Sequence, residues 1–170
     1  MTKKTENGES TAKKRTASEE AARYLARRMR TTAETEQHLA ESGYSAEEIA
    51  EAVASLTALH YLDDREYARV FFAYSREKYR GRLRIMRELR ERGIGGETAE
   101  FAWEDFTAED GRSEEEVALT FGRKALALTE HEGAPERKDI VKIGKKLEQR
   151  GFSQDVIFRV MDKLGRTEFD

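Results

Sequence analysis

Apolar residues along this chain of 170 residues recur three or four positions apart and nowhere alternate through a long β-branched run. That spacing predicts helices and argues against strands. The pattern also repeats. Three times a helix is expected to end in glycine, followed by an apolar residue and a small cap: Gly43-Tyr44-Ser45, Gly93-Ile94-Gly95 and Gly151-Phe152-Ser153. Leu39, Leu89 and Leu147 lie four positions before each glycine. Ile49, Ala99 and Ile157 lie six after, Val53, Trp103 and Met161 ten after, and Leu56, Phe106 and Leu164 thirteen after. Glycine ends one helix in a left-handed turn, the next residue packs inward, and the small residue opens the following helix. Ser45 with Glu48 makes a capping box, and Tyr44 is placed to staple onto Ile49.

A further helix precedes each pair. In the first copy it is expected over Ser18–Arg30, with Ala22, Leu25, Ala26 and Met29 inward. In the second it runs from Asp64 to Tyr79 with Tyr67, Val70, Phe71 and Tyr74 on one face, and the helix after it turns Leu83, Met86 and Leu89 inward. In the third it runs from Ser113 to about Thr129, opened by a Ser113–Glu116 capping box, with Val117, Phe121, Leu126 and Leu128 apolar. The expectation is an all-α, elongated tandem array of three three-helix repeats, nine helices in helix-turn-helix-like modules. Residues 1–16 read as a disordered polar tail, 17–61 as repeat 1, 62–108 as repeat 2 and 112–166 as repeat 3. Thr107–Arg112 reads as a linker and Glu130–Pro135 as a loop inside the last repeat.

Composition sharpens this picture. Apolar and charged residues each make up 38%, against about 25% charged in an average globular protein. So polar a chain suits helices with narrow apolar stripes stacked in a thin array, not one large core. The net charge is -3, so the overall balance gives no sign of nucleic-acid binding. The absence of cysteine excludes disulfides and thiol chemistry, and no apolar run approaches the roughly 20 residues of a membrane span. Nor does the N-terminus have a signal peptide's apolar centre. A soluble cytoplasmic protein is expected.

The most specific stretch is the middle one. Tyr61-Leu62-Asp63-Asp64 opens a helix beginning Arg65-Glu66-Tyr67-Ala68. Asp63 is placed as N-cap, Glu66 would complete a capping box, and Leu62 and Tyr67 have the spacing of a hydrophobic staple. Then come Gly81, Arg84-Ile85, Glu88-Leu89 and Gly93-Ile94. In order and spacing these positions resemble the central repeat of the RecX regulatory proteins. The resemblance extends from about Ser18 to Leu164 and implies tandem three-helix modules that bind the RecA recombinase, above all its filament on single-stranded DNA. It implies inhibition of ATP turnover, of strand exchange and of the coprotease activity behind the SOS response, by a monomer lying in the filament groove. It implies no cofactor, since the ATP belongs to the partner.

Candidate chemistry is sparse. His38, His60 and His131 stand alone, without a metal-ligand partner at helical spacing, and no phosphate-binding glycine loop is present. The acidic runs Asp63-Asp64 and Glu114-Glu115-Glu116 sit where helix dipoles favour negative charge. Trp103 occupies a repeated core position. No catalytic, cofactor-binding or metal-binding residue is assigned. The uneven feature is charge: eight basic and three acidic residues between Arg76 and Arg92 leave +5. Arg76, Lys78, Arg80, Arg82, Arg84, Arg87 and Arg90 are the candidate partner-binding residues, suited to phosphates or an acidic protein groove. Direct, weak DNA contact is compatible with them. The bland alternative is a solvated face tied by Arg84–Glu88 and Glu88–Arg92 pairs. A rival reading is a helix-turn-helix transcription regulator. The helices after each glycine turn Glu47, Glu48 and Glu51, or Glu97, Glu100 and Glu104, outward, which phosphates would repel.

Overall fold

The computed structural model describes residues 15–128 and 136–166. Among them are nine α-helices and no strand: α1 (Ala17–Leu25), α2 (Thr32–Glu41), α3 (Ala46–Ala58), α4 (Asp64–Glu77), α5 (Arg82–Glu91), α6 (Gly96–Asp110), α7 (Glu114–Ala127), α8 (Arg137–Gln149) and α9 (Gln154–Gly165). They form three repeats of three. Most of the expected tail, the expected Glu130–Pro135 loop and His131 fall outside the described residues.

The three glycines end their helices as their positions require. Gly43, Gly93 and Gly151 have φ of 83°, 84° and 82°. In each turn the following residue's amide donates back to the repeated leucine: Tyr44 to Leu39, Ile94 to Leu89 and Phe152 to Leu147, at 3.2, 3.0 and 3.2 Å. Those leucines are fully buried. The capping boxes at Ser45 and Ser113 form, and Thr16 with Glu19 makes a third. Asp63 caps α4 by accepting from the Glu66 amide at 2.9 Å, but the Glu66 carboxylate turns to Arg69 and does not close the box.

The chain divides into two units, one of residues 15–30 and 35–62, the other of 31–34 and 63–166 among those described. In the first, α1 packs on α3 around Ala17, Ala21, Leu39, Ala52, Leu56 and Leu62. Here the expected register of α1 is corrected. The helix stops at Leu25, Ala22 and Ala26 face solvent, and Met29 is 47% exposed. The Thr16 capping box starts the helix one residue early, and Ala17 and Ala21, one turn apart, become its inner stripe. Leu62, expected to staple onto Tyr67, joins this core, whereas Tyr67 packs against the core of the second unit.

In the second unit α4 packs on α6, and α7 and α8 both pack on α9. Trp103 meets Phe72 edge-on at 5.1 Å, with Phe106 beside both. That places Trp103 in the core, as its repeat position implied. The expected stripe of α4 is rotated by a residue: Ala68, Phe72, Ser75 and Arg76 are buried, while Val70 and Tyr74 are exposed. On α5 the buried residues are Ile85 and Leu89, Met86 is half-buried, and Leu83, expected inward, is exposed. The expected linker at Thr107–Arg112 is helical to Asp110. The Thr107 hydroxyl donates back to the Trp103 carbonyl, and α6 ends only at Gly111, with φ of 67°.

Repeats 2 and 3 are joined through backbone. The first amides of α5 lack partners inside their own helix. Gly81 donates to the Arg150 carbonyl at 2.8 Å, Leu83 to Gly151 at 3.1 Å, and the Arg82 amide to the Glu114 carboxylate at 2.7 Å. Within the same unit the opening turn of α2 repeats the device. The Thr32 amide donates to Asp64 at 2.8 Å and the Thr31 hydroxyl to the Arg92 carbonyl at 2.7 Å. The carboxylates of Asp64 and Glu114 thus serve at helix N-termini, where the helix dipole favours them.

Candidate functional site

The basic segment divides into residues committed to packing and residues that face solvent. Arg76 belongs to the first group and is the clearest departure from expectation. It follows Phe72 by one turn on the buried stripe of α4, and only 1% of it is exposed. Its guanidinium pairs with Asp110 at 3.4 Å, donates to the Arg112 carbonyl and lies 5.6 Å from the Trp103 ring. Burial pushes its pKa below the usual arginine value, against the pull of Asp110. Arg76 therefore ties α4 to the end of α6 and has no face to offer a partner.

Arg80 and Arg84 share one carboxylate, Glu88, at 2.8 and 2.7 Å. Arg82 pairs with Glu100 and lies 5.8 Å from the Trp103 ring. The expected Glu88–Arg92 pair does not form: Arg92 donates to the Glu88 backbone carbonyl and stacks over Phe71 at 4.8 Å. Lys78, Arg87 and Arg90 are exposed. Lys78 stands 5.8 Å from the Tyr74 ring, and Arg87 has only a loose 3.9 Å contact with Glu91. The acidic run on α7 is likewise structural. Glu114 caps α5, Glu115 holds Arg159 at 2.7 Å and Glu116 closes the Ser113 box.

The structure adds residues that the sequence analysis missed. A cleft of about 710 Å³ is lined by Tyr79, Arg84, Phe121, Lys124, Lys146 and Arg150 among others. Repeat 2 supplies Tyr79 and Arg84, and repeat 3 supplies the rest. Arg150 donates to the Lys78 carbonyl at 2.8 Å and stacks over Phe121 at 4.1 Å. Its pKa is pushed down, first by burial and then by the like charges of Arg84 and Arg80. Tyr79 is a bulky residue at φ of 52°, a backbone region that such residues rarely occupy. This turn sets its ring 5.9 Å from Phe121, and its hydroxyl bonds Lys124. No local sequence signal could have joined Arg84 to Arg150; the one available hint was that Arg150 precedes a repeated glycine.

Among the described residues, no helix is long and apolar enough to cross a membrane, and no group of His, Asp and Glu is placed to hold a metal ion. His38 stacks on Tyr24 at 4.0 Å and meets Glu20 at 3.2 Å.

Comparison with known proteins agrees with this architecture. The first three-helix domain of RecX matches residues 17–56, and the second matches residues 63–102. The regulatory protein RecX of Bacillus subtilis is 32% identical over 142 residues, covering 83% of this chain and 52% of that protein. The chain thus spans about half the length of that relative, and of its Bacillus licheniformis counterpart. The regulatory protein RecX of Chlorobaculum tepidum is 30% identical over 146 residues and is covered over 86% of its length. The crystal structure of RecX from Lactobacillus salivarius superposes with a TM-score of 0.74 at 26% identity, covering 87% of this chain and 94% of that one. Three-helix modules in tandem, two matched domains and a relative aligned over most of both lengths lead to one conclusion: this chain belongs to the RecX family of regulatory proteins.

Proposed function

We propose that this protein regulates the RecA recombinase by binding its filament on single-stranded DNA, slowing ATP turnover, strand exchange and SOS repressor cleavage. The observation that carries this reading is membership of the RecX family across tandem three-helix modules. The protein acts by occupancy and not by chemistry. Its repeats lie along the filament groove as a cytoplasmic monomer and bridge neighbouring subunits, and the only nucleotide turned over is the partner's. The exposed cations Lys78, Arg87 and Arg90 supply a long-range attraction to a polyanionic nucleoprotein surface. Arg76, being internal, is left out of that surface.

The test is ATP hydrolysis by the cognate recombinase on single-stranded DNA while this protein is titrated in. Inhibition at substoichiometric protein is expected. Unchanged turnover at excess protein overturns the reading. Tight, sequence-specific duplex binding without recombinase would point to a transcription regulator instead.

A further inference from the structure

Successive repeats are joined by a plug and a socket, and the device is used twice. The plug is the opening turn of a repeat's second helix, and the socket is the glycine turn of the next repeat. At the first joint, within the second unit, the Thr31 hydroxyl donates to the Arg92 carbonyl, and a Cβ on Gly93 would lie 2.3 Å from that of Ala33. At the second, the Gly81 amide donates to the Arg150 carbonyl, and a Cβ on Gly151 would lie 2.3 Å from that of Arg84. The third socket, at Gly43, is empty. A Cβ there would meet nothing within 4 Å, and the Ser42 carbonyl accepts no hydrogen bond among the described residues. Tyr44 is only half-buried, whereas its counterparts in the filled sockets, Ile94 and Phe152, are buried.

Charge around the empty socket has one sign. From Thr31 to Ala58 the chain holds six glutamates and no lysine or arginine. Glu36, Glu41, Glu47 and Glu51 are exposed and form no ion pair among the described residues. The end of a repeat array needs a polar face, but solubility alone does not require a single sign. The matching cations stand on repeat 3. There α8 carries five lysines and arginines against two acids. Arg137, Lys145 and Lys146 are exposed and form no ion pair among the described residues. The same helix opens as a plug does. Like α5 it starts without a side-chain cap, and the Arg137 and Lys138 amides have no partner among the described residues. Whereas α5 hands its first amides to a glycine turn, α8 has no such turn at hand among the described residues.

We propose that the Gly43 turn of one chain receives the start of α8 from a second copy, so that chains associate head to tail. An amide of the opening turn donates to the Ser42 carbonyl, and the cations of α8 face the glutamates of α2 and α3. The two surfaces differ, so the contact is heterologous and does not close on a pair. It is built from one turn on each side and is weak, so dilute free chains are monomers. On a shared filament, where chains lie close together, the same contact makes successive chains bind cooperatively. That consequence rests on the recombinase reading; the contact itself does not.

The test contains no recombinase, so its failure leaves filament regulation standing. The full chain is followed by sedimentation equilibrium from micromolar to millimolar concentration. At low salt the weight-average mass should climb past that of a dimer, and at high salt it should return to that of a monomer. Gly43→Asn probes the socket without charge. Asparagine tolerates a left-handed turn, and its Cβ has room in the single chain but not in a filled socket. It should weaken association about tenfold, with the circular dichroism spectrum unchanged. Glu47→Lys with Glu51→Lys should abolish association, as should Arg137→Glu with Lys145→Glu. An equal mixture of these two variants should restore it, because every joint then pairs opposite charges. Arg87→Glu with Arg90→Glu is the control and should associate as the unmodified chain does; equal loss there would mean a diffuse charge effect and overturn the joint. A mass that stays monomeric at millimolar concentration and low salt, or that levels off at a dimer, overturns the proposal. So does Gly43→Asn associating as tightly as the unmodified chain. Lys13→Glu with Lys14→Glu matching the loss from the α8 reversal would assign the socket to the N-terminal segment and overturn it as well.

Discussion

Gly81 and Gly151 meet backbone to backbone. A Cβ on Gly81 would lie 2.3 Å from the Gly151 carbonyl oxygen, and a Cβ on Gly151 would lie 2.3 Å from that of Arg84. Through this contact the start of α5 passes its unpaired amides to the end of α8. Gly81 has φ of -82°, which any residue can adopt, so only the neighbouring repeat requires glycine there.

Gly43, Gly151 and Gly81 should therefore differ in cost. Gly43 has an open Cβ position, so Gly43→Ala loses only its left-handed geometry, about 1 kcal/mol. Gly151→Ala adds a clash with Arg84 and should lose a further ~1–3 kcal/mol. Gly81→Ala should show the clash without the conformational cost. Urea denaturation of the three variants measures this, and equal losses at Gly43 and Gly151 would contradict the joint.

The corrected register of α5 has its own test. Leu89 is fully buried, so Leu89→Ala should cost about 2–5 kcal/mol through the cavity it leaves. Leu83, on the same helix, is 58% exposed, and Leu83→Ala should stay within about 0.5 kcal/mol. Comparable losses in thermal melts would return Leu83 to the core.

Arg76 should behave as a structural residue. Arg76→Ala leaves a cavity beside Trp103 and the Arg112 carbonyl without its donor, while Asp110 keeps Arg112 at 2.7 Å, and should cost about 2–5 kcal/mol. Arg76→Met keeps the stem against Trp103 and should lose less. A melt of Arg76→Ala indistinguishable from the unmodified protein would return Arg76 to the solvent face.

The exposed cations make the opposite case. Arg87→Glu with Arg90→Glu touches no buried contact and should leave the melting temperature within the range of surface substitutions. Binding to the recombinase filament should weaken at low salt and depend less on salt. A titration showing unchanged affinity and slope would limit these arginines to keeping the surface solvated. Arg84 is a poorer probe, because its pair with Glu88 confounds folding with binding.

Much of this protein is written locally. Helix ends, caps and glycine turns depend on residues within one turn of each other. Gly43, Gly93 and Gly151, the buried Leu39, Leu89 and Leu147, and the Ser45 and Ser113 boxes were therefore legible in one dimension. The stripe of each helix was less so. On α1, α4 and α5 the burial fell a residue or two from the expected face, because small or mixed residues such as Ala21, Ala68 and Arg76 can pack inward when a neighbour closes over them. Periodicity alone does not rank Phe72 above Phe71. The charge run was equally ambiguous: a string of arginines looks uniform until tertiary contacts bury Arg76, tie Arg80 and Arg84 to Glu88, and leave Arg87 free of close pairs. The cleft was decided by tertiary structure alone. Arg84 and Arg150 come together only because the α5 amides find their acceptors at the end of α8, and hydrogen bonds between distant segments leave no periodic trace in a sequence.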